Sequence, residues 1–209
     1  MTRKTSKGTI CIVLAVMLAL LLAVPVGAAS KTSKAKKAYR KLMNSKKVEW
    51  CGWGTTKYGE KDGDKFALIN IDKKGAPELV VTGDDMYHFH IYTYTKKKAK
   101  HLGGSSSGSV KFYPNKKLVY MTRIHSGCEN AWYSKFNGKK LVTVAEAKGI
   151  GTFDPGTDNY IVKYKYYKNG KKVTKKEYKV YVKKLMKNAK QKKIKMRKAT
   201  KSNYRKYLK

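Results

Sequence analysis

The chain has 209 residues, which predicts one domain with a core large enough to fold without many covalent links. It contains 49 Lys or Arg but only 13 Asp or Glu, so its formal net charge is +36. Only five of the basic residues are Arg, the residue suited to bidentate contacts with bases and phosphates. The composition therefore argues against sequence-specific recognition of nucleic acid and favours loose attraction to anionic polymers.

The first 29 residues have the pattern of a secretory signal peptide. Three basic residues lie within the first eight, an apolar run follows at residues 10–26, and small residues occupy 27–30. We predict a signal peptide at 1–29, a secreted or cell-surface location, and a formal charge of +33 once the three cations are removed from the total of +36. The apolar run is long, so an uncleaved anchor is an alternative. No later stretch is apolar enough to span a membrane.

Export would leave two cysteines, because Cys11 lies within the predicted signal peptide. A remaining pair in an oxidising compartment favours one disulfide, so we predict a bond between Cys51 and Cys128. The bond would close a long loop and stabilise the fold by about 3–5 kcal/mol on the chain-entropy model.

The mature chain begins with a predicted helix at residues 30–48. Ala35, Tyr39, Leu42 and Met43 recur at helical spacing among lysines, which predicts one apolar face.

The stretch at 66–83 predicts two adjacent strands around a tight polar loop. Four of its residues have the spacing of a cation-binding loop, namely Asn70, Asp72, Gly75 and Glu78, and Pro77 leads into the second strand. The loop resembles the FG-GAP or VCBS-type loop, in which Asp-x-Asp-x-Asp-Gly-x-x-Glu joins two strands. The resemblance implies calcium ligation by Asn70, Asp72 and Glu78, although Asn70 and Lys74 replace the first and third Asp. The alternative is a turn without an ion, in which Asp72 accepts hydrogen bonds from loop N–H groups and Gly75 takes a positive φ.

Strand and turn signals continue after this loop. Asn-Gly pairs at 137–138 and 169–170 lie between apolar runs and predict hairpins. The glycine-containing segments at 103–108 and 149–159 are predicted to be loops. We predict antiparallel sheet across residues 65–173.

The C-terminal part begins with a capping-box pattern. Thr174 and Glu177 predict the start of a helix at 174–190, with its apolar residues on one face. Residues 191–209 are predicted to be a basic tail, in which Ser202 caps a short last helix.

These elements predict an α+β fold. It consists of an antiparallel meander sheet of about 7–9 strands, with an N-terminal and a C-terminal helix packed on it. Residues 30–209 are predicted to form a single secreted domain. The sequence contains one copy of the FG-GAP-like loop, which does not support a propeller, because a propeller needs repeated blades. The order of elements and the lysine-rich end resemble small secreted proteins of Gram-positive bacteria whose role is unassigned.

Two other groups of side chains are candidates for function. His88 and His90 lie on one face of a predicted strand and could bind zinc with His101 or His125. Together with the Asp pair at 84–85 they could instead serve a hydrolase. Aromatic residues among the lysines could stack on sugars or bases: Tyr87, Tyr92, Tyr94, Trp132, Tyr133, Tyr164, Tyr166 and Tyr167.

No catalytic motif is present, so we predict no catalytic residue and no cofactor apart from the possible calcium ion. The leading hypothesis is a non-enzymatic module that binds an envelope polymer, an acidic glycan or extracellular DNA. Seven C-terminal lysines are its predicted contacts: Lys171, Lys172, Lys175, Lys176, Lys183, Lys184 and Lys187. The alternatives are a secreted hydrolase and a structural module stiffened by calcium.

Overall fold

The computed structural model describes residues 26–45, 64–83, 88–105, 107–125, 127–157 and 159–209. Residues 1–25 of the predicted signal peptide lie outside these ranges, as do Cys51, the Asp pair at 84–85 and Tyr87.

Three helices are present in the described residues: α1 at Val26–Met43, α2 at Lys175–Met186 and α3 at Lys201–Tyr207. Helix α1 buries Ala35, Tyr39 and Met43, which lie four residues apart on one face. It ends earlier than residue 48 because Asn44 Nδ2 donates to the carbonyl of Arg40 at 2.8 Å and closes the last turn. None of the three helices is long and apolar enough to cross a membrane.

The described residues form eleven strands in two antiparallel sheets. The first sheet has the order β11-β1-β2-β3-β4, and its members are β1 Lys65–Ile69, β2 Glu78–Thr82, β3 Phe89–Thr95, β4 Lys98–Ser105 and β11 Arg197–Lys198. The second sheet has the order β10-β9-β8-β7-β6-β5, and its members are β5 Val110–Tyr113, β6 Leu118–His125, β7 Cys128–Phe136, β8 Leu141–Asp154, β9 Asn159–Lys168 and β10 Lys171–Val173.

The α+β class and both terminal helices are confirmed, but the strands divide between two sheets where a single meander was expected. The chain changes sheets after Ser105, the end of β4. Gly103 and Gly104, which were predicted to lie in a loop, are part of that strand. Gly104 fits there because a Cβ would lie 2.9 Å from Nδ1 of His90 on the neighbouring strand.

The two sheets pack face to face, and helices cover their outer faces. The core between the sheets includes Ile69, Val80 and Ile91 from the first sheet and Phe112 and Val119 from the second. Helices α1 and α3 cover the other face of the first sheet, and α2 covers the other face of the second. Each sheet therefore buries one face against the other sheet and the other face against a helix, and this layered burial accounts for the division of the strands into two sheets.

Strands β8 and β9 form a long hairpin arm, so the predicted loop at 149–159 is wrong over Gly149–Asp154. Glycines permit β8 to continue through this segment because β7, on its other side, and the residue before β7 approach closely. A Cβ at Gly149 would lie 2.8 Å from the carbonyl oxygen of Glu129, and a Cβ at Gly151 would overlap the carbonyl oxygen of Gly127.

Replacing Gly151 with Ala is expected to destabilise the protein by about 1–3 kcal/mol, since backbone on the neighbouring strand must move. Gly156→Ala is the matched control, because its Cβ would lie 3.4 Å from the nearest atom, Asp154 Oδ1. Urea unfolding should show a change within about 0.5 kcal/mol for this control. Equal losses for the two variants would contradict the close approach at Gly151.

The segment at 191–209, predicted to be a basic tail, packs into the fold. Strand β11 pairs with β1, and Ala199 N–H donates to the carbonyl of Asp64 at 2.7 Å. Helix α3 is capped by Thr200, whose hydroxyl accepts from Asn203 N–H at 3.2 Å, so the assignment of the cap to Ser202 is wrong. The cap moves because Thr200 still has extended backbone geometry, as an N-cap residue requires.

Candidate functional site

Helix α2 begins with the capping box that the sequence predicts. Thr174 Oγ1 accepts from Glu177 N–H at 3.2 Å, and Glu177 Oε2 accepts from Thr174 N–H and its hydroxyl, both at 2.8 Å. The hydrogen bond from Thr174 N–H, and next that from its hydroxyl, lowers the pKa of Glu177. The carboxylate is therefore charged at neutral pH and engaged at the start of the helix.

One half of α2 packs on the second sheet, where Leu185 and Met186 contact a buried cluster around Leu118, as does Ala189 just after the helix. The other half is exposed and, apart from Val180, carries lysines: Lys175, Lys176, Lys179, Lys183, Lys184 and, at the C-cap, Lys187. We call these six residues the α2 lysine face. Side chains four residues apart on a helix are neighbours, so the ammonium groups form a continuous cationic surface about 18 Å long.

Five of the seven predicted lysines belong to the α2 lysine face, and the other two lie on β10. Lys172 is opposite Tyr167 and Lys171 is opposite Lys168, so the pleat sends them to opposite faces of the second sheet. Prediction from sequence missed Lys179. Its position four residues from both Lys175 and Lys183 was the signal that places it on the same half of the helix.

A groove lies on the face of the second sheet opposite α2. It has a volume of about 250 Å³ and is lined by Arg123, Asn130, Trp132, Thr143, Glu146 and Lys148. We call it the Trp132 groove. Trp132 also packs against the core between the sheets, so the groove opens where that core ends.

The strand register explains why these side chains share a face. Trp132 is opposite Glu146, and Asn130 is opposite both Arg123 and Lys148. Directly opposite residues in antiparallel strands point the same way, so a row with Trp132 and Glu146 lies beside a polar row of Arg123, Asn130 and Lys148. The polar row continues onto β9, where Lys165 lies opposite Lys148.

The charges in the groove are unequally compensated. Lys148 Nζ lies 3.6 Å from Glu146 Oε1 and 5.3 Å from the centroid of the Tyr167 ring. Within the described ranges, no carboxylate lies at ion-pair distance from the exposed guanidinium of Arg123. Arg123 is therefore the cation of the groove that can accept an external anion.

The predicted aromatic residues divide between several surfaces. Tyr92 and Tyr94 pack in the apolar cluster between α1 and the first sheet. Tyr133 and Tyr166 lie on the α2 side, where the Tyr166 and Tyr178 rings are 5.0 Å apart. Tyr164 donates a hydrogen bond to Glu129. Trp132 lines the Trp132 groove, and Tyr167 lies beside it, next to Lys148. The hydrogen bond to Glu129 raises the pKa of Tyr164 to about 12.

The loop between β1 and β2 makes the turn expected without an ion. Asp72 Oδ1 accepts from Lys74 N–H at 2.8 Å, and Gly75 has a φ of +69°. Asn70 Nδ2 donates to the carbonyl of Gly75 at 3.3 Å. Pro77 presents its carbonyl to the hydroxyl of Tyr39 at 2.9 Å, which ties the loop to α1.

Glu78, the third predicted calcium ligand, is only 2 % exposed. Its Oε2 accepts from Ile71 N–H at 3.0 Å, and its Oε1 accepts from the Thr93 hydroxyl at 3.3 Å. Burial raises the pKa of Glu78 to about 7, and the charge of Asp72 adds to the rise. In the described part of the chain, no group of three or more His, Cys, Asp or Glu side chains is arranged to hold a metal ion. Calcium ligation by Asn70, Asp72 and Glu78 stays a prediction.

Of the candidate zinc ligands, the structure brings together His90 and His101. Nδ1 of His90 lies 3.2 Å from Nε2 of His101, while His125 ends β6 in the other sheet. His90 is 3 % exposed, and burial lowers its pKa to about 4, with the neighbouring His101 and His88 adding to the effect. The hydrolase alternative requires that a substrate in solution reach His90. The burial of His90 prevents this.

Cys128 begins β7 with an exposed side chain and forms no disulfide within the described ranges. Its predicted partner, Cys51, lies outside them, so the bond stays a prediction.

Comparisons with protein-family models, curated proteins and solved structures found no match to this chain. The function is therefore inferred from the sequence, the α2 lysine face and the Trp132 groove.

Proposed function

We propose that this protein is an exported, non-enzymatic, strongly basic module that associates with anionic polymers of the cell envelope or of a host surface. The observation that carries the proposal is the α2 lysine face, on which six exposed ammonium groups occupy one half of a rigid helix. Such an array attracts a polyanion at many points and requires no base-specific contact.

The helix is suited to this task because its cations are not neutralised locally. Glu177 is the single acidic residue between Tyr160 and the C-terminus, and its carboxylate is held by Thr174 at the start of α2. Lys168 adds a further cation beside α2, with its Nζ 5.0 Å from the centroid of the Tyr181 ring. A polyanion would therefore release its counterions on binding without displacing intramolecular ion pairs from this surface.

The hydrolase alternative has less support. It needs accessible groups near residues 84–90, but His90 is buried and its Nδ1 is in contact with His101. The calcium-stiffened module also has less support, since Asp72 and Glu78 already accept hydrogen bonds from the loop backbone.

The test removes four charges from the α2 lysine face. Lys175, Lys179, Lys183 and Lys187 are replaced with Gln, and binding to single-stranded DNA and heparin is measured from 50 to 200 mM NaCl. Each phosphate contact contributes roughly 0.7 to the slope of log K against log salt for single strands. We expect the slope to fall by up to about 3 units and the affinity at 150 mM NaCl to fall at least about tenfold.

The matched control loses the same charge from surfaces away from α2, through Lys98→Gln, Lys100→Gln, Lys139→Gln and Lys140→Gln. All four of these lysines are exposed, so the folded state tolerates the changes. The control should keep most of the wild-type slope. Equal losses in the two variants would show that net charge alone governs binding, and absence of salt-dependent retention in the wild type would overturn the proposal.

A further inference from the structure

We infer that the Trp132 groove is a binding site for an acidic sugar unit, so that the preferred anionic polymer is a carboxylated glycan. This inference rests on the proposed function and specifies the class of ligand. It is carried by one aromatic side chain, one uncompensated guanidinium and several short polar groups that converge on a single concave surface.

The groove has the chemical groups that a sugar ring requires. The indole of Trp132 offers a flat apolar surface on which the C–H face of a pyranose can stack. Asn130, Thr143 and Glu146 supply donors and acceptors for hydroxyl groups around the ring. A sugar presents both kinds of surface at once, since its ring faces are apolar and its edge carries hydroxyls.

Arg123 gives the groove its preference for an acid. Its guanidinium is exposed at the groove and has no carboxylate partner in the described part of the chain, whereas Lys148 is already paired with Glu146 at 3.6 Å. A guanidinium matches a carboxylate with two parallel hydrogen bonds, which Lys cannot reproduce. The carboxylate of a uronic acid stacked on Trp132 would therefore meet Arg123.

The charge of Glu146 favours a glycan over a nucleic acid. A DNA backbone carries a negative charge at every unit and has no hydroxyl to donate to this carboxylate, which lies opposite Trp132. Sugar hydroxyls, by contrast, donate hydrogen bonds to a carboxylate.

The groove is also placed to hold one unit of a longer chain. The polar row runs through Arg123, Asn130, Lys148 and Lys165 on four neighbouring strands. Adjacent strands are about 4.8 Å apart, so the row spans about 14 Å across the sheet. Lys165 would meet the next acidic group of a glycan that crosses the strands.

The test uses a hexasaccharide of hyaluronan, which carries carboxylates but no sulfate or phosphate, and the same hexasaccharide with its carboxyl groups reduced to alcohols. Binding is followed in ¹H–¹⁵N spectra through the indole N–H signals, and the Trp132 signal is identified by its loss in Trp132→Phe. We expect the Trp132 signal to shift saturably with the acidic hexasaccharide and at least about tenfold more weakly with the reduced one.

Arg123→Lys separates this site from general polyanion binding, because it keeps the net charge and removes the guanidinium fork. We expect the hexasaccharide to bind about tenfold more weakly to this variant, while the salt-dependent binding of single-stranded DNA, which has no carboxylate, is unchanged. A Trp132 signal that does not move, or an affinity that is the same for Arg123→Lys, would overturn the inference and leave the role of the α2 lysine face standing. Weaker binding of single-stranded DNA to the α2 variant with an unchanged Trp132 shift would support both.

Discussion

Replacing Glu78 with Gln is expected to stabilise the protein above pH 7 by up to about 3 kcal/mol relative to the wild type. Glu78 is 2 % exposed, and burial raises its pKa from 4.5 to about 7. The folded state therefore binds a proton that the unfolded state releases between these values. The contribution of Glu78 to stability is fully present below pH 4.5 and is lost as the pH rises to 7, when a charge is left in the core.

In the wild-type protein taken alone, the pH dependence from Glu78 is partly hidden because His90 titrates in the opposite sense. Burial lowers the pKa of His90 from 6.5 to about 4, so the folded state disfavours the proton and stability is lost as the pH falls through that range. The two slopes oppose each other between pH 4.5 and 6.5. In Glu78→Gln the slope from His90 should appear without the opposing slope from Glu78, so stability should rise as the pH increases to 6.5.

Urea unfolding at half-unit steps from pH 4.5 to 8 gives the free energies for this comparison. The relevant quantity is the difference between the variant and the wild type at each pH, since all other groups cancel in it. Gln keeps an oxygen that can accept from the N–H of Ile71, so the hydrogen bond at 3.0 Å need not be lost. A difference that is the same at pH 5 and pH 8 would contradict a raised pKa for Glu78.

Local signals in the sequence were sufficient for much of the secondary structure. The turn at Asn169-Gly170 and the capping box of Thr174 and Glu177 are both found where the sequence predicts them. Each depends on residues only a few positions apart, so the preference of the chain for that conformation is encoded within the segment itself.

Features that depend on distant residues were not predicted. Gly104, Gly149 and Gly151 suggest loops when read locally, yet they belong to strands, and a neighbouring part of the chain occupies the space that a Cβ would need. The division into two sheets likewise follows from apolar side chains that are far apart in sequence and meet in one core. No local pattern contains that information.

The α2 lysine face could be predicted from local sequence, whereas the Trp132 groove could not. The helical period alone places five of the predicted lysines on the α2 lysine face, and it also identifies Lys179. The Trp132 groove depends on the register of β6, β7 and β8, and a slip of one residue would send Trp132 and Arg123 to opposite faces. Register is set by the whole sheet, so the groove was found only with the structure.

Replacing Leu208 with Ala is expected to destabilise the protein by about 2–5 kcal/mol. Leu208 is fully buried beside Tyr204, whose ring centroid lies 5.4 Å from that of Phe66 in β1. Truncating Leu208 removes apolar contacts and leaves a cavity between α3, α1 and the first sheet. A residue of a tail that does not pack on the fold would show no such loss.

Val180→Ala is the matched control, because Val180 is an aliphatic residue on α2 that is 64 % exposed. Its truncation should change the free energy of unfolding by no more than about 0.5 kcal/mol. Urea unfolding of the two variants at one pH is sufficient, and similar values for both would contradict the docking of α3. A large loss for Leu208→Ala alone would mean that the last residues of the chain hold α1 against the first sheet, since Tyr204 and Leu208 share one buried cluster with Tyr39 and Met43.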